Sequence, residues 1–387
     1  MGHRGFGDCR EPDRGDCAVS GAQEGGLLAP PVVGTYRPDY AIPPGDTLRA
    51  VIEANRMTQA DLSRRAGMSS KHINQIIQGI ASITPDTALA LERVLGVPAQ
   101  FWNALEANHQ ARELRLRDRV VTEEDAAWLA RLPTKELQRR GIIESAVDPA
   151  DLRDKVLRFF GVASRPSWES IWTAPDAAFR KSRVFESDPY ATAAWLRIGE
   201  LRATDIDVQP FSRTGFESAL LVIRGLMNAD PEAFEPEMKR AAAETGVIIV
   251  IVGEVKGSRV NGATRWLSPT RALIQLSVRH RWEDVFWFSF FHEAGHVLLH
   301  GKRDAFVDDG KTRSTEEDEA DAFAQGVLIP QRFESDLLRV RTVPQARTLA
   351  SSLDVPPGIV IGRLQREGVI PHNVGNEQRR RFQLIDS

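Results

Sequence analysis

Residues Val285 to His300 read V-F-W-F-S-F-F-H-E-A-G-H-V-L-L-H, and inside this run stands His292-Glu293-Ala294-Gly295-His296. Apolar residues fill the stretch to Leu299, no proline interrupts it, and Gly301 is placed to stop it, so the pattern predicts a helix. Two histidines four apart on a helix share one face, about 6 Å apart along the axis at ~1.5 Å per residue. Both imidazoles can then reach one divalent ion. The glutamate after the first histidine is placed to exchange a proton with a water activated by that ion. Burying His292 and Glu293 without partners among Phe and Leu would be costly, which sets the metal reading above a plain core helix.

At 387 residues the chain has room for two or three domains. A formal net charge of −3 excludes a basic coat over the whole surface and leaves room for a local basic face. The two cysteines, Cys9 and Cys17, provide neither a disulfide framework nor a cysteine zinc site, and are read as thiols in a reducing cytoplasm. Residues 1–26 lack the apolar core of a signal peptide, and the most apolar runs are too short to span a bilayer. The expectation is a soluble, cytoplasmic protein without a membrane partner.

Residues 1–40 show no periodicity and are expected to form a disordered tail. From Pro43 the pattern becomes five short helices with N-capping residues Thr58, Ser69 and Thr84 and with glycine stops at Gly67, Gly79 and Gly96. A three-residue turn, Gly67–Ser69, separates the second helix from the third, as in a helix-turn-helix bundle. On the outward face stand Gln59, Ser69, Ser70, Lys71, Asn74, Gln75 and Gln78, whose amides, hydroxyls and ammonium can bond base edges or phosphates. Arg56, Arg64, Arg65 and Lys71 against Asp61 focus positive charge there.

Residues 108–205 read as a helical connecting region without a catalytic cluster, with Trp168, Trp172, Phe179 and Trp195 as core anchors. The helix-rich pattern continues to 245, and from Gly246 it turns α+β. Val247–Val252 reads as a buried strand, Asn261-Gly262 as a tight turn and Arg271–Val278 as a second strand, here expected to be the edge that pairs with an extended substrate. A catalytic zinc needs a third protein ligand. In Thr315–Ala324, Glu316 and Glu319 are read as sharing a face, with Glu317 and Asp318 pointing elsewhere; spacing alone does not choose between the two. His300, ~12 Å of helix from His292, is too far to share the ion and is assigned to packing or outer support.

Two resemblances sharpen this. P-G-D-T-L-R, M-T-Q-A-D-L-S-R-R-A-G-M-S, I-T-P-D-T-A-L-A-L-E-R-V-L-G and F-W-N-A-L-E-A-N resemble the Cro/cI-type (XRE) domain of HigA-like antitoxins, which implies a homodimer on operator DNA. H-E-A-G-H-V-L-L-H-G with E-A-D-A-F-A-x-x-x-L-I-P resembles the ImmA/IrrE metallopeptidase family. That resemblance implies His292, His296 and Glu319 as ligands of one Zn2+ and Glu293 as general base, with Asp321 where many members carry Asn. Arg279, His280 and His372 are candidate donors to a carbonyl oxygen.

The expected architecture is multidomain. An all-α helix-turn-helix bundle (41–107) precedes the helical connecting region (108–205). An α+β, zincin-like minimal metallopeptidase domain (206–340) and a C-terminal helical segment and tail (341–387) follow. The expected function is a transcriptional regulator that binds operator DNA and hydrolyses a protein substrate. The alternative is an antitoxin and autorepressor that binds DNA and a toxin, its metal domain serving as sensor or scaffold.

Overall fold

The computed structural model describes residues 43–172, 188–277, 281–301, 306–308 and 314–382. The tail expected at 1–40, the anchor Phe179 and the candidates Arg279 and His280 lie outside the described residues. The chain divides into two compact units at residue 116.

In the first unit the described helices are α1 (Pro44–Ala54), α2 (Gln59–Ala66), α3 (Ser70–Ile77), α4 (Pro85–Leu95) and the start of α5 (Ala99–Asp118). The caps are those the sequence specifies. Thr58 and Asp61 form a reciprocal capping box on α2, Ser69 Oγ accepts the His72 amide of α3, and Thr84 Oγ accepts the Thr87 amide of α4. Gly67 closes α2 at φ 68°, a left-handed conformation that L side chains adopt only with strain. Leu48, Ile52, Leu62, Ile73, Ile76, Leu91 and Trp102 fill the core. Gly45 is where α1 crosses α3: a Cβ there would collide with the Ile76 and Ile77 backbone.

The second unit is built on a four-stranded sheet. Its strands are β1 (Val247–Ile251), β2 (Gly262–Ser268), β3 (Arg271–Leu276) and β4 (Phe306–Asp308), in the order β1-β3-β2-β4. β1 runs parallel to β3, while β2 runs antiparallel to both β3 and β4. The expected second strand is therefore β3, and it is central. Its backbone is paired on both sides, so the expectation that it offers an edge to a substrate is corrected. β2, missed in the sequence, begins at the Gly262 read as a turn.

Side chains alternate across this sheet, and each face buries a different set of helices. Ile248, Val250, Ala263 and Leu273 pack against α6 (Glu123–Arg131), α7 (Thr134–Arg139), α8 (Pro149–Phe160), α9 (Arg165–Trp172) and α10 (Pro189–Ala203). The anchors Trp168, Trp172 and Trp195 lie in that core, and Trp195 Nε1–H donates to the Val252 carbonyl at 3.0 Å. Ile249, Ile251, Ile274 and Leu276 point the other way. They face α11 (Arg213–Gly225), α12 (Pro231–Ala243), α13 (Glu283–Leu299) and α14 (Thr315–Leu328). The short α15 (Glu334–Leu337), then α16 (Val343–Leu353) and α17 (Pro357–Arg366), complete this layer. Among the described residues no helix is long and apolar enough to cross a membrane.

Because backbone rather than a flexible side chain faces Gly45, Gly45→Ala is expected to destabilise the first unit by about 1–3 kcal/mol. Circular-dichroism unfolding of the full chain checks this, and an unchanged midpoint would contradict the packing described.

Candidate metal centre and recognition helix

α13 is buried nearly all round, and its N-terminal end is tied down by ion pairs. Glu283, fully buried, pairs with Arg380 at 2.6 Å, and Asp284 pairs with Arg379 at 2.8 Å. Its central turn carries His292, Glu293 and His296, all buried. α14 lies across this turn with Ala320 and Ala324 inward. Gly295 makes the approach possible: a Cβ there would stand 3.2 Å from Ala320 Cα. Three positions before Ala320 on the same face is Glu317, whose amide is capped by Ser314 Oγ.

The third acid beside the histidines is therefore Glu317, and the expected Glu319 is corrected. His292 Nε2 and His296 Nε2 are 3.1 Å apart, and Glu317 carboxylate oxygens stand 3.1 Å from the first and 3.6 Å from the second. All three groups lie within 4.8 Å of one another. Glu319 is one position off the inward face, largely exposed, and contacts His300 Nε2 at 3.1 Å instead. The signal that could have chosen Glu317 was the alanine stripe Ala320–Ala324, which fixes the inward face.

Behind each histidine stands a chain of polar partners. His292 Nδ1–H donates to Asp321 Oδ1 at 3.0 Å, and Asp321 Oδ2 accepts from Arg366 at 2.5 Å. His296 Nδ1 meets His300 Nδ1 at 2.8 Å, and His300 in turn meets Glu319. The proton order in which Glu319 accepts is His300 Nε2–H to Glu319 and His296 Nδ1–H to His300. Both chains leave Nε2 of the two inner histidines as a lone pair. Burial pushes His296 below its ordinary value, while Glu317 pulls the other way.

Two lone pairs and a carboxylate thus converge in a buried space, an arrangement that repels itself without a positive charge at its centre. Tetrahedral ligands at ~2.0–2.1 Å from zinc sit roughly 3.3 Å apart, close to the separations found here. The donor set fits a divalent cation. The ring of Phe306 on β4 stacks on His296 at 4.1 Å between centroids and closes one side.

Glu293, fully buried, is held from β2. Thr264 Oγ–H donates to its Oε2 at 2.7 Å, and a Cβ at Gly262 would lie 2.5 Å from its Oε1. Sequence reasoning found Glu293 but neither Thr264 nor Gly262, since β2 was not recognised. His372 is exposed, and its carbonyl accepts from Gln365 Nε2 and Asn376 Nδ2.

In the first unit, Gln59, Ser69, Ser70, Lys71, Asn74 and Gln78 are exposed and Gln75 is half-buried, on α2, the turn and α3. Two of the expected contacts also have local work. The Ser69 hydroxyl caps α3, and Ser70 Oγ–H donates to Ser63 Oγ at 3.2 Å.

Comparison with known families gives two separate matches. Residues 48–102 match the model described as helix-turn-helix, and residues 256–365 match the IrrE N-terminal-like domain. The chain therefore carries an XRE-type helix-turn-helix region and an IrrE/ImmA-like peptidase-family domain. No curated protein matches the chain. Among solved structures it is similar to an addiction module antidote protein of a HigA family from Coxiella burnetii, at 27% identity and TM-score 0.18, covering 19% of this chain and 80% of that one. It is also similar to the antitoxin HigA of Pseudomonas aeruginosa with higBA promoter, at 26% identity and TM-score 0.20, covering 20% and 87%.

Gly262→Ala is expected to push the Glu293 carboxylate off its Thr264 partner and to destabilise the second unit by about 1–3 kcal/mol. A crystal structure of the variant checks this; Glu293 unmoved would contradict the close approach of β2.

Proposed function

We propose that the chain is a DNA-binding transcriptional regulator whose second unit is a metal-dependent peptide hydrolase. The observation that carries the enzymatic half is the convergence of His292, His296 and Glu317, with the buried Glu293 on the same turn of α13 as the two histidines. Zinc is the cation this histidine and carboxylate set suits, and it would supply the positive charge that acidifies a water and polarises a peptide carbonyl. The residues do the rest. His292 and His296 keep lone pairs directed inward because Asp321 and His300 hold their other nitrogens. Glu293, oriented by Thr264, takes the proton of the attacking water and returns it to the leaving amine. Burial of the whole group excludes competing solvent and strengthens these interactions.

The regulatory half rests on the family match at 48–102 and on the exposed polar face of α3. There Asn74, Gln75 and Gln78 are the candidate base readers. Lys71, a point charge at the helix start, is a phosphate contact. The operator would be read by a homodimer, each head taking one half-site.

Three outcomes test this reading. Glu317→Ala should lose stoichiometric zinc, whereas Glu319→Ala should keep it with affinity reduced by no more than about 10–100-fold; mass spectrometry of the intact protein decides, and equal loss in both would refute the ligand set. Glu293→Gln should retain zinc yet fail to cleave any member of a peptide library that the wild type cleaves. Zinc bound by a wild type that cleaves nothing would leave a DNA-binding protein with a metal scaffold. In an operator selection, Lys71→Ala should weaken binding to all sequences alike and lower the salt slope by about 1. A changed sequence preference would move Lys71 from phosphate to base contact.

A further inference from the structure

Next to the convergent histidines lies a cavity of about 680 Å³, and His292 and Glu317 form part of its wall. It is a valley between three helices, each contributing one stripe. α13 supplies Val285, Phe288 and His292, α14 supplies Asp321, Gln325 and Leu328, and α17 supplies Ile359, Gly362 and Arg366. Gly362 lets α17 come this close, since a Cβ there would collide with Asp284.

The chemistry of the wall is uneven. Val285 and Phe288 are left half-buried on a helix most of whose residues are buried, and Leu328, Ile329 and Ile359 continue the apolar surface. The charged groups on the wall largely answer each other. Arg366 pairs with Asp321 at 2.5 Å and lies over the Phe288 ring at 4.8 Å. Arg363 pairs with Glu334 and Glu367, and Asp284 pairs with Arg379. An anionic ligand group would meet Glu317 and Asp318 on the wall and find Arg363 and Arg366 already paired, whereas an apolar group only removes Val285 and Phe288 from water.

We infer that this valley is the specificity pocket of the proposed hydrolase and takes a large uncharged apolar side chain adjoining the scissile bond of a peptide. Its volume is within the ordinary range for ligand pockets and exceeds one side chain, so neighbouring substrate residues lie along it as well. Continuity with His292 and Glu317 places the occupant beside the reacting bond rather than at a remote docking surface. The inference rests on the metallopeptidase reading, and the test separates the two.

Full-length, zinc-loaded protein is titrated calorimetrically with acetohydroxamate, with 3-phenylpropanehydroxamate and with the hydroxamate of succinate, which share one metal-binding group. The phenylpropane compound is expected to bind at least about tenfold more tightly than acetohydroxamate, and the succinate compound no more tightly than acetohydroxamate. Val285→Trp, which fills the valley, is expected to erase the phenylpropane advantage, with zinc content measured on the same sample. No advantage in the wild type, or one that survives Val285→Trp in zinc-loaded protein, overturns the pocket alone. Failure of all three compounds to bind zinc-loaded wild type overturns the hydrolase reading, since the bound metal then offers no open position, and the pocket with it.

Discussion

The contact on which the second unit depends is the approach of α14 to α13 at Gly295 and Ala320. With a Cβ at 295 standing 3.2 Å from Ala320 Cα, a larger residue would require the backbone of α14 to give by a few tenths of an ångström. Gly295 sits between Glu293 and His296, so that displacement would be felt where Glu317 meets the histidines. The glycine is thus part of the centre although it offers no ligand atom. The same economy recurs around it: Gly262 admits the Glu293 carboxylate under β2, and Gly362 admits α17 over Asp284. Three glycines on three elements let backbones close on one small volume of polar groups.

That volume is polar inside an apolar layer, and its stability follows from how its hydrogen bonds are directed outward. Asp321 with Arg366, and His300 with Glu319, hold the rear nitrogens of the two inner histidines. Anchoring at α17 through Arg366 means the C-terminal segment is part of the site and not an appendage. The helices before the sheet have a different task. They cover the opposite face, where Trp195 and its neighbours bury Ile248 and Val250. The long stretch without catalytic residues therefore supplies half of the support for β1 and β3.

Much of this was legible in the sequence because the signals are local. Caps and glycine stops define α2 to α4, and His292-Glu293-Ala294-Gly295-His296 announces both its helix and its chemistry. The errors came where a choice depended on which elements meet. Glu316, Glu317 and Glu319 are equivalent as a string, and only the packing of Ala320 and Ala324 on α13 selects Glu317. Thr264 and Gly262 could not be named while β2 was unrecognised, since Asn261-Gly262 looks like a hairpin turn and a strand start alike. β3 was found as a strand, but that it is central follows from long-range pairing with β1 and β2. His300 illustrates the converse. Distance along the helix removed it from the ligand set, and the structure then finds it bonded to His296.

The central claim is that one cation is held by His292, His296 and Glu317. Anomalous diffraction at the zinc edge from zinc-soaked crystals of the full-length protein tests it most directly. The account predicts a single strong peak within roughly 2.0–2.2 Å of Nε2 of both histidines and of a Glu317 oxygen, with no protein ligand from Glu319. A peak coordinated by Glu319 or His300 in place of Glu317, or no peak between His292 and His296, would contradict it.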